Sequence, residues 1–253
     1  MKPKNILVLG ASGQLGRNLL RKLTRNNFKV IAVTRNIHKK GLVLKSQANA
    51  GWLDIVELET FNYDKFNEIF KNIDICINLI GVLNEKNKSS FENIHCLLPK
   101  KLAELSKDNN LKQFIHLSAL GVENANDSKY ASSKICGENE IKKILNNYVI
   151  LKPSIIYSRD DNFTTMLFSL LKLLPIFPIY YKGRTNFYPI HVTDMSEIIE
   201  KVILNDISKE TIECIGPEKI SFKEIIKKLM RSINIKRLLI PTPLSLAKFF
   251  ALI

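Results

Sequence analysis

The apolar run Ile6–Leu9 is followed by three evenly spaced glycines, Gly10, Gly13 and Gly16, and then by Leu15, Leu19, Leu20 and Leu23. The run has the length of a buried strand, and the leucines share one face of a helix. The pattern repeats along the chain. Phe28–Thr34 predicts a second strand, residues 36–51 are polar and read as a loop, and Asp54–Leu58 predicts a third strand. A short helix over Lys65–Phe70 and a fourth strand over Ile73–Leu79 follow. Phe91–Asn109 predicts a helix with Leu98, Leu102 and Leu105 inward. Pro99 within it implies a late start or a kink. Phe114–Ser118 is the fifth strand, Ser128 opens a helix that runs to about Asn146, and Tyr148–Leu151 is the sixth strand. Beyond these lie an apolar helix, Asn162–Leu174, and two S/T/D-x-x-E signatures, Asp194 with Glu197 and Ser221 with Glu224, which read as helix caps with reciprocal partners. Strands alternating with helices in this rhythm predict an α/β fold, a doubly wound parallel sheet with right-handed crossovers. Residues 1–157 are expected to form the sheet domain. Residues 158–253 are expected to form a small C-terminal α/β lobe, interleaved with the core.

Composition narrows this picture. A chain of 253 residues, 45% hydrophobic, suits one large α/β domain or a core domain with a small lobe. Lys and Arg number 38 against 24 Asp and Glu, a net charge of +14. The pairs Lys39-Lys40, Lys100-Lys101, Lys142-Lys143 and Lys227-Lys228 fall mostly on expected exposed helix faces, so solvated lysines are the first reading. Attraction to an anionic membrane surface or an acidic partner is the second. No basic stripe interleaved with aromatics marks a nucleic-acid module, so no nucleic-acid partner is expected. Cys76, Cys96, Cys136 and Cys214 form no CxxC pair. Cys76 and Cys214 sit in apolar runs as expected buried thiols, which fits a reducing compartment and no metal site. His38, His95 and His116 form no metal spacing, and His191 is expected to be a core or hydrogen-bonded histidine. The first strand begins directly after Met1-Lys2-Pro3-Lys4, so no leader is expected. No stretch reaches the roughly 18–20 apolar residues of a membrane span. The expected location is cytoplasmic, at most peripheral on the inner face of the cytoplasmic membrane.

Strand, glycine turn and helix in that order form a cradle for a dinucleotide pyrophosphate. Glycines allow the tight turn and the close approach of backbone N–H groups, and the helix N-terminus supplies a positive dipole end. The candidate contacts are Gly10, Ser12, Gly13, Gln14, Leu15, Gly16 and Arg17. An acid at the end of the second strand would accept from the adenosine ribose 2′-OH and mark NAD. The chain instead has Thr34-Arg35-Asn36. Arg35 can hold a 2′-phosphate through a bidentate pair, and Arg17 could reach the same group. NADP(H) is therefore the expected cofactor, with NAD(H) the alternative. Glu59–Asn62 is expected to close over the adenine. At the end of the fourth strand lie Asn78 and Gly81, the latter small enough for the cofactor to pass close to the backbone. Tyr130 and Lys134, four apart, lie on one helical face. A lysine ammonium beside a phenol lowers its pKa toward neutrality, so the tyrosine can exchange a proton while a nicotinamide exchanges hydride. Backbone around Pro153 and Ile155 is expected to cover the nicotinamide.

Gly10-x-x-Gly13-x-x-Gly16 with Tyr130-x-x-x-Lys134 resembles the short-chain dehydrogenase/reductase superfamily, in its extended and atypical branches. Further stretches resemble the family of NAD(P)H-binding accessory subunits of respiratory complex I and their bacterial homologues. They are Asn78–Leu83, Phe114–Gly121, Lys152–Tyr157 and Gly183-Arg184-Thr185-x-Phe187-x-Pro189. The resemblance covers nearly the whole chain. It implies a Rossmann-like sheet, a tightly held NADPH kept mainly for structure, and a partner in a quinone-handling membrane complex. Catalytic members of the superfamily place a Ser or Thr just past the fifth strand. Here that position is Ala119, with Ser118 one residue early, and in a strand such an offset turns the side chain to the other face. Losing the donor costs on the order of a hundredfold in rate. The resemblance thus implies an accessory or assembly protein of a quinone-linked respiratory system, complex I or ubiquinone metabolism, with weak or no turnover. The alternatives are an active NADPH-dependent reductase or epimerase/dehydratase using Tyr130, Lys134 and Ser118, and a redox-sensing regulator that binds NADP without catalysis. The apolar end, Pro241–Ile253, stops short of where relatives run. It is expected to be a core helix, with docking to a membrane or complex as the second reading.

Overall fold

The computed structural model describes residues 3–85, 90–125 and 127–242. In chain order the elements are β1 (Asn5–Leu9), α1 (Gln14–Arg25), β2 (Lys29–Thr34), α2 (Ile37–Lys45), β3 (Leu53–Glu57), α3 (Tyr63–Phe70) and β4 (Ile75–Asn78). A π-helical segment (Glu92–Leu97) leads into α4 (Leu98–Asp108), followed by β5 (Gln113–Leu117), α5 (Lys129–Ile144) and β6 (Tyr148–Pro153). Then come β7 (Ile156–Tyr157), α6 (Asn162–Leu173), β8 (Ile176–Tyr180), β9 (Asn186–Phe187), β10 (Ile190–His191) and α7 (Val192–Leu204). The last elements are β11 (Glu210–Cys214), β12 (Ile220–Ser221), α8 (Phe222–Ser232) and β13 (Leu238–Thr242).

Seven strands form one parallel sheet in the order β11-β6-β5-β4-β1-β2-β3, the expected doubly wound arrangement. Ile6, Leu7, Val8 and Leu9 are all buried, as a strand covered on both faces requires. Helices α3, α4 and α5 pack over the face that carries Leu7, Leu9, Cys76 and Phe114, and α1 packs on α7. The chain divides into two units, Met1–Pro153 with Val192–Cys214, and Ser154–His191 with Ile215–Ile253. The first holds the sheet, because the chain returns to supply α7 and the edge strand β11. The second has its own small core of Leu167, Leu171, Phe177, Ile225 and Ile226 beneath α6, α8 and the paired strands β8 and β13. Its helix α8 starts with the expected capping box, in which Ser221 and Glu224 satisfy each other's backbone N–H. The terminal stretch 243–253 lies outside the described residues.

Several local expectations are corrected. Residues 36–51 contain helix α2, capped by the Asn36 side chain accepting from Lys39 N–H at 2.8 Å. Only Gly41 and Leu44 of α2 are buried, while Leu42 and Val43 are exposed, so no apolar stripe marks it in the sequence. Helix α7 starts at Val192, which puts Asp194 in its first turn rather than at the cap, and Glu197 pairs with Lys201 at 3.0 Å. Cys96 and Cys136 form a disulfide, which departs from the expected reducing compartment, while Cys76 and Cys214 are the expected buried free thiols.

Pro99 acts as the expected disturbance, and its form is specific. A proline offers no N–H to the carbonyl four residues back, that of His95. The residues before it widen into the π segment, a form common at functional sites. Gly137 of α5 lies directly against that carbonyl, and a Cβ at this position would overlap the His95 oxygen. We predict that Gly137→Ala destabilises the fold by about 2 kcal/mol through overpacking, although alanine favours an isolated helix. A urea midpoint at or above the wild-type value would contradict this.

Candidate functional site

The cradle is built at the carboxyl end of β1. Gly10 adopts φ +80°, a left-handed conformation suited to glycine, and its carbonyl accepts from Gly13 N–H at 3.0 Å. Gly13 is the N-cap of α1, so no side chain fills the space ahead of the first turn. Gly16 lies against the Gly10 carbonyl and Ala11, where a Cβ would overlap both. Leu15 anchors α1 in the core, and the Gln14 carbonyl accepts from Asn18 Nδ2. Arg17 folds back and donates through Nη1 to the Ser12 carbonyl at 2.7 Å, which stiffens the loop.

A cleft of about 720 Å³ opens from this turn, between the ends of β1 and β4. Gly10, Ser12 and Gly13 line one end, and Thr34 and Arg35 lie at the end of β2. Glu59, Thr60 and Phe61 line the wall where an adenine was expected, and Leu79–Val82 line the wall opposite β1. Sequence reasoning missed Asn93, Ile94 and Leu97 of the π segment, and Lys101 of α4, all of which line the same cleft. Lys101 Nζ lies 5.1 Å from the centroid of the Phe61 ring, and the cleft lining carries two basic residues, Arg35 and Lys101, with one acid, Glu59. Nothing in the sequence pattern distinguishes Lys101 from other helix-face lysines.

Asn78 is fully buried and its amide is used within the protein. Its Oδ1 accepts from Ile80 N–H at 3.1 Å, and its Nδ2 lies 3.2 Å from His116 Nδ1. It therefore shapes the turn that leads to Gly81. A Cβ on Gly81 would lie 3.5 Å from Lys134 Nζ and 3.7 Å from His95 Nε2, so bare backbone here faces a basic corner.

At that corner Lys134 is buried and donates to the Leu117 carbonyl at 3.1 Å. Burial pushes its pKa down to about 8, opposed by the nearby Glu138 carboxylate. Tyr130 is half-buried, with its ring edge-on to His95 at 5.2 Å and to Phe91 at 5.6 Å. The expected lowering of the phenol pKa is not present: burial raises it, and the ammonium that would offset this is engaged at Leu117. His95 is buried too. Its Nε2 accepts from Val82 N–H at 3.1 Å, which assigns the proton to Nδ1, 3.1 Å from Ser133 Oγ. Ser133 in turn donates to the Tyr130 carbonyl at 2.7 Å. Burial and then the Lys134 charge lower the His95 pKa to about 4, so it stays neutral. His116 is held neutral by the same causes, and its buried Nε2 has no partner among the described residues.

Ser118 does not face an open site. Its hydroxyl donates to the buried Glu138 carboxylate, which pairs with Lys152 at 2.9 Å, and Lys152 also pairs with Glu123. Ser118 is one member of a buried charged network tying β5, α5 and β6 together. Pro153 ends β6 in the sheet unit, and its carbonyl accepts from Leu120 N–H at 2.9 Å. Ile155 belongs to the second unit, where its carbonyl accepts from Ile190 N–H, and His191 there packs edge-on to Tyr157. Among the described residues no group of three or more His, Cys, Asp or Glu side chains is placed to hold a metal, and no helix is long and apolar enough to cross a membrane.

The depressed pKa of Lys134 makes stability depend on pH in a defined direction. Between about 8 and the ordinary value of 10.5 the unfolded chain binds the extra proton, so stability rises with pH across that window. Lys134→Met should remove a rise on the order of 3 kcal/mol. Urea midpoints at pH 7.5 and pH 10 measure it, and an equal rise in both proteins would count against this assignment.

Residues 6–213 match the NAD dependent epimerase/dehydratase family. NADH dehydrogenase (ubiquinone) 1 alpha subcomplex subunit 9, mitochondrial, of Mus musculus is 28% identical over 240 residues, covering 94% of this chain and 63% of that one. The 40 kDa subunit of NADH-ubiquinone oxidoreductase of Neurospora crassa is 26% identical over 242 residues, 95% of this chain and 63% of that one. This chain therefore spans less than two thirds of either relative. A ceramide reductase of Caulobacter vibrioides is 25% identical over 194 residues, 75% of this chain and 57% of that protein. Among solved structures, dTDP-glucose 4,6-dehydratase of Streptomyces venezuelae, with NAD bound, superposes with TM-score 0.78 at 16% identity, covering 94% of this chain and 84% of that one. The dTDP-4-dehydrorhamnose reductase of Bacillus anthracis, in complex with NADP, gives 0.71 at 18% identity, covering 96% and 86%. The glycine cradle, the switch-point cleft and a family match over most of the sheet unit agree, and the chain belongs to the NAD dependent epimerase/dehydratase family.

Proposed function

We propose that this protein holds a nicotinamide dinucleotide, preferably NADP(H), and serves as an accessory or assembly factor of a quinone-linked respiratory complex, with weak or no turnover. The cleft supports the nucleotide. Gly10, Gly13 and the N-terminus of α1 would hold the pyrophosphate, Arg35 and Lys101 the ribose phosphate, and Phe61 would lie at the adenine. When bound, the dinucleotide would supply hydride chemistry. The observation that carries the low-turnover reading is Ser118, whose hydroxyl is spent on buried Glu138. Ala119, at the position beside it, offers no donor. The relatives that are complex I subunits support the partner. The proposed location is cytoplasmic, at most peripheral on the inner face of the cytoplasmic membrane. In this reading residues 1–157 bind nucleotide and 158–253 meet the partner or substrate.

Lys134 favours a second reading, that of an NADPH-dependent reductase or epimerase/dehydratase. It is buried beside Gly81, on the same helix as Tyr130, where it could hold the nicotinamide ribose and support a proton transfer through the phenol. The similarity to a ceramide reductase also supports it.

One measurement tests the cofactor preference that both readings share, and a second separates them. Arg35→Ala should weaken NADPH binding about tenfold or more, since a hydrogen-bonded charge pair contributes about 1.5–3 kcal/mol, while NADH binding changes little. Equal losses in a fluorescence titration would sink the NADP preference. The wild-type protein should retain NADPH without oxidising it in the presence of carbonyl compounds or quinones, and Tyr130→Phe should retain it equally. Turnover that Tyr130→Phe abolishes would establish the second reading instead.

A further inference from the structure

The Cys96–Cys136 disulfide joins the two elements that frame the basic corner. Cys96 lies in the π segment beside His95 and is buried. Cys136 lies in α5, two residues after Lys134, and is exposed. Their Cα atoms are 5.3 Å apart, within the span a disulfide needs. The spacing follows from neighbouring contacts. Gly137 sits against the His95 carbonyl, so the residues next to both, Cys136 and Cys96, face each other across the interface. That contact is made by backbone and does not need the sulfur bond. The pair therefore stays within reach when reduced, and its exposed member can meet a small reactant.

We propose that Cys96 and Cys136 form a thiol–disulfide exchange site for low-molecular-weight disulfides such as glutathione disulfide, and that the closed bond clips the π segment to α5 and so retains the nucleotide. The exposed Cys136, as thiolate, attacks one sulfur of glutathione disulfide. A protein–glutathione bond forms, the glutathione S–S bond breaks, and one glutathione thiolate leaves. Cys96, as thiolate, then attacks the Cys136 sulfur, closes the protein disulfide and expels the second glutathione thiolate. The protein sulfurs lose two electrons, glutathione disulfide gains two, and the two thiol protons end on the two glutathiones. Excess glutathione reverses both steps.

The clip acts on nucleotide through what the π segment carries. Asn93, Ile94 and Leu97 line the cleft, and His95 fixes the Val82 amide and packs on Tyr130. The covalent tie adds to the backbone contact at Gly137, so the wall that the π segment forms is held more closely to α5 when the bond is closed. The nucleotide half of this inference rests on the reading of the cleft given above.

The test uses the full chain, equilibrated across ratios of reduced to oxidised glutathione with and without saturating NADPH. Thiols are trapped by alkylation and counted by mass. NADPH should shift the midpoint ratio toward the disulfide by about tenfold, within the usual range for coupled sites. Thermodynamic linkage requires the same factor between NADPH dissociation constants of the oxidised and reduced protein. Cys136→Ser, a change at an exposed position, should bind NADPH like the reduced protein in any redox buffer. Two thiols that persist in oxidised glutathione would overturn the proposal, as would equal NADPH affinity in the two states. If neither state binds any nicotinamide nucleotide, the reading of the cleft has failed by itself. Amide hydrogen exchange over Glu92–Leu97 then decides: slower exchange in the oxidised protein supports the clip, and equal exchange overturns it.

Discussion

Strand β1 is hydrogen-bonded along both edges, to β2 on one side and β4 on the other, with Leu9 opposite both Val33 and Asn78. Every other feature depends on that double pairing. In a parallel sheet each strand must be followed by a crossover, and where the strand order reverses, the chain leaves β1 and β4 in different directions and a crevice remains at their carboxyl ends. Burial of Ile6–Leu9 locks the register, since a slip of one residue would exchange the side chains on the two covered faces. Gly10 and Gly16 then allow α1 to start against the turn itself. The cleft is thus a consequence of how the core is satisfied.

Beside that cleft, around α5, lies a group of buried polar side chains. His95, His116, Lys134, Glu138 and Lys152 are all buried, so each must find partners or lose its charge. The histidines lose theirs and become neutral acceptors within the framework. Glu138 and Lys152 pair with each other, and they draw Ser118 into the pair. Lys134 finds a backbone carbonyl. The outcome is a frame in which the Ser118 hydroxyl is committed to Glu138 and the Lys134 ammonium to the Leu117 carbonyl. The same packing brings the π segment against α5, which is why the two cysteines meet there.

Much of this was legible in the chain. Apolar periodicity marked six of the seven strands of the sheet, all but the edge strand β11, and most of its helices, because burial on one or both faces imposes a period that residue types must follow. The glycine spacing marked the cradle, because only a residue without a Cβ satisfies the turn and the close approach. Arg35 was read from its place after the second strand and lines the cleft, and the spacing of Tyr130 and Lys134 put both on one helix, α5. Helix α2 was not legible, since a helix lying on the surface needs only two inward positions and an asparagine cap.

What the sequence determined by itself was therefore local: which segments bury a face, where the backbone must turn, and which charges follow which strand. The tertiary structure alone decided the rest. It brought Lys101 to the wall of the cleft, turned Ser118 onto Glu138, raised the Tyr130 pKa where the spacing implied lowering, and joined Cys96 to Cys136 across forty positions of chain. Each of these depends on burial and on neighbours from distant segments. No periodicity along the chain encodes the solvent a side chain loses, or the partner it meets, when sheet and helices close over it.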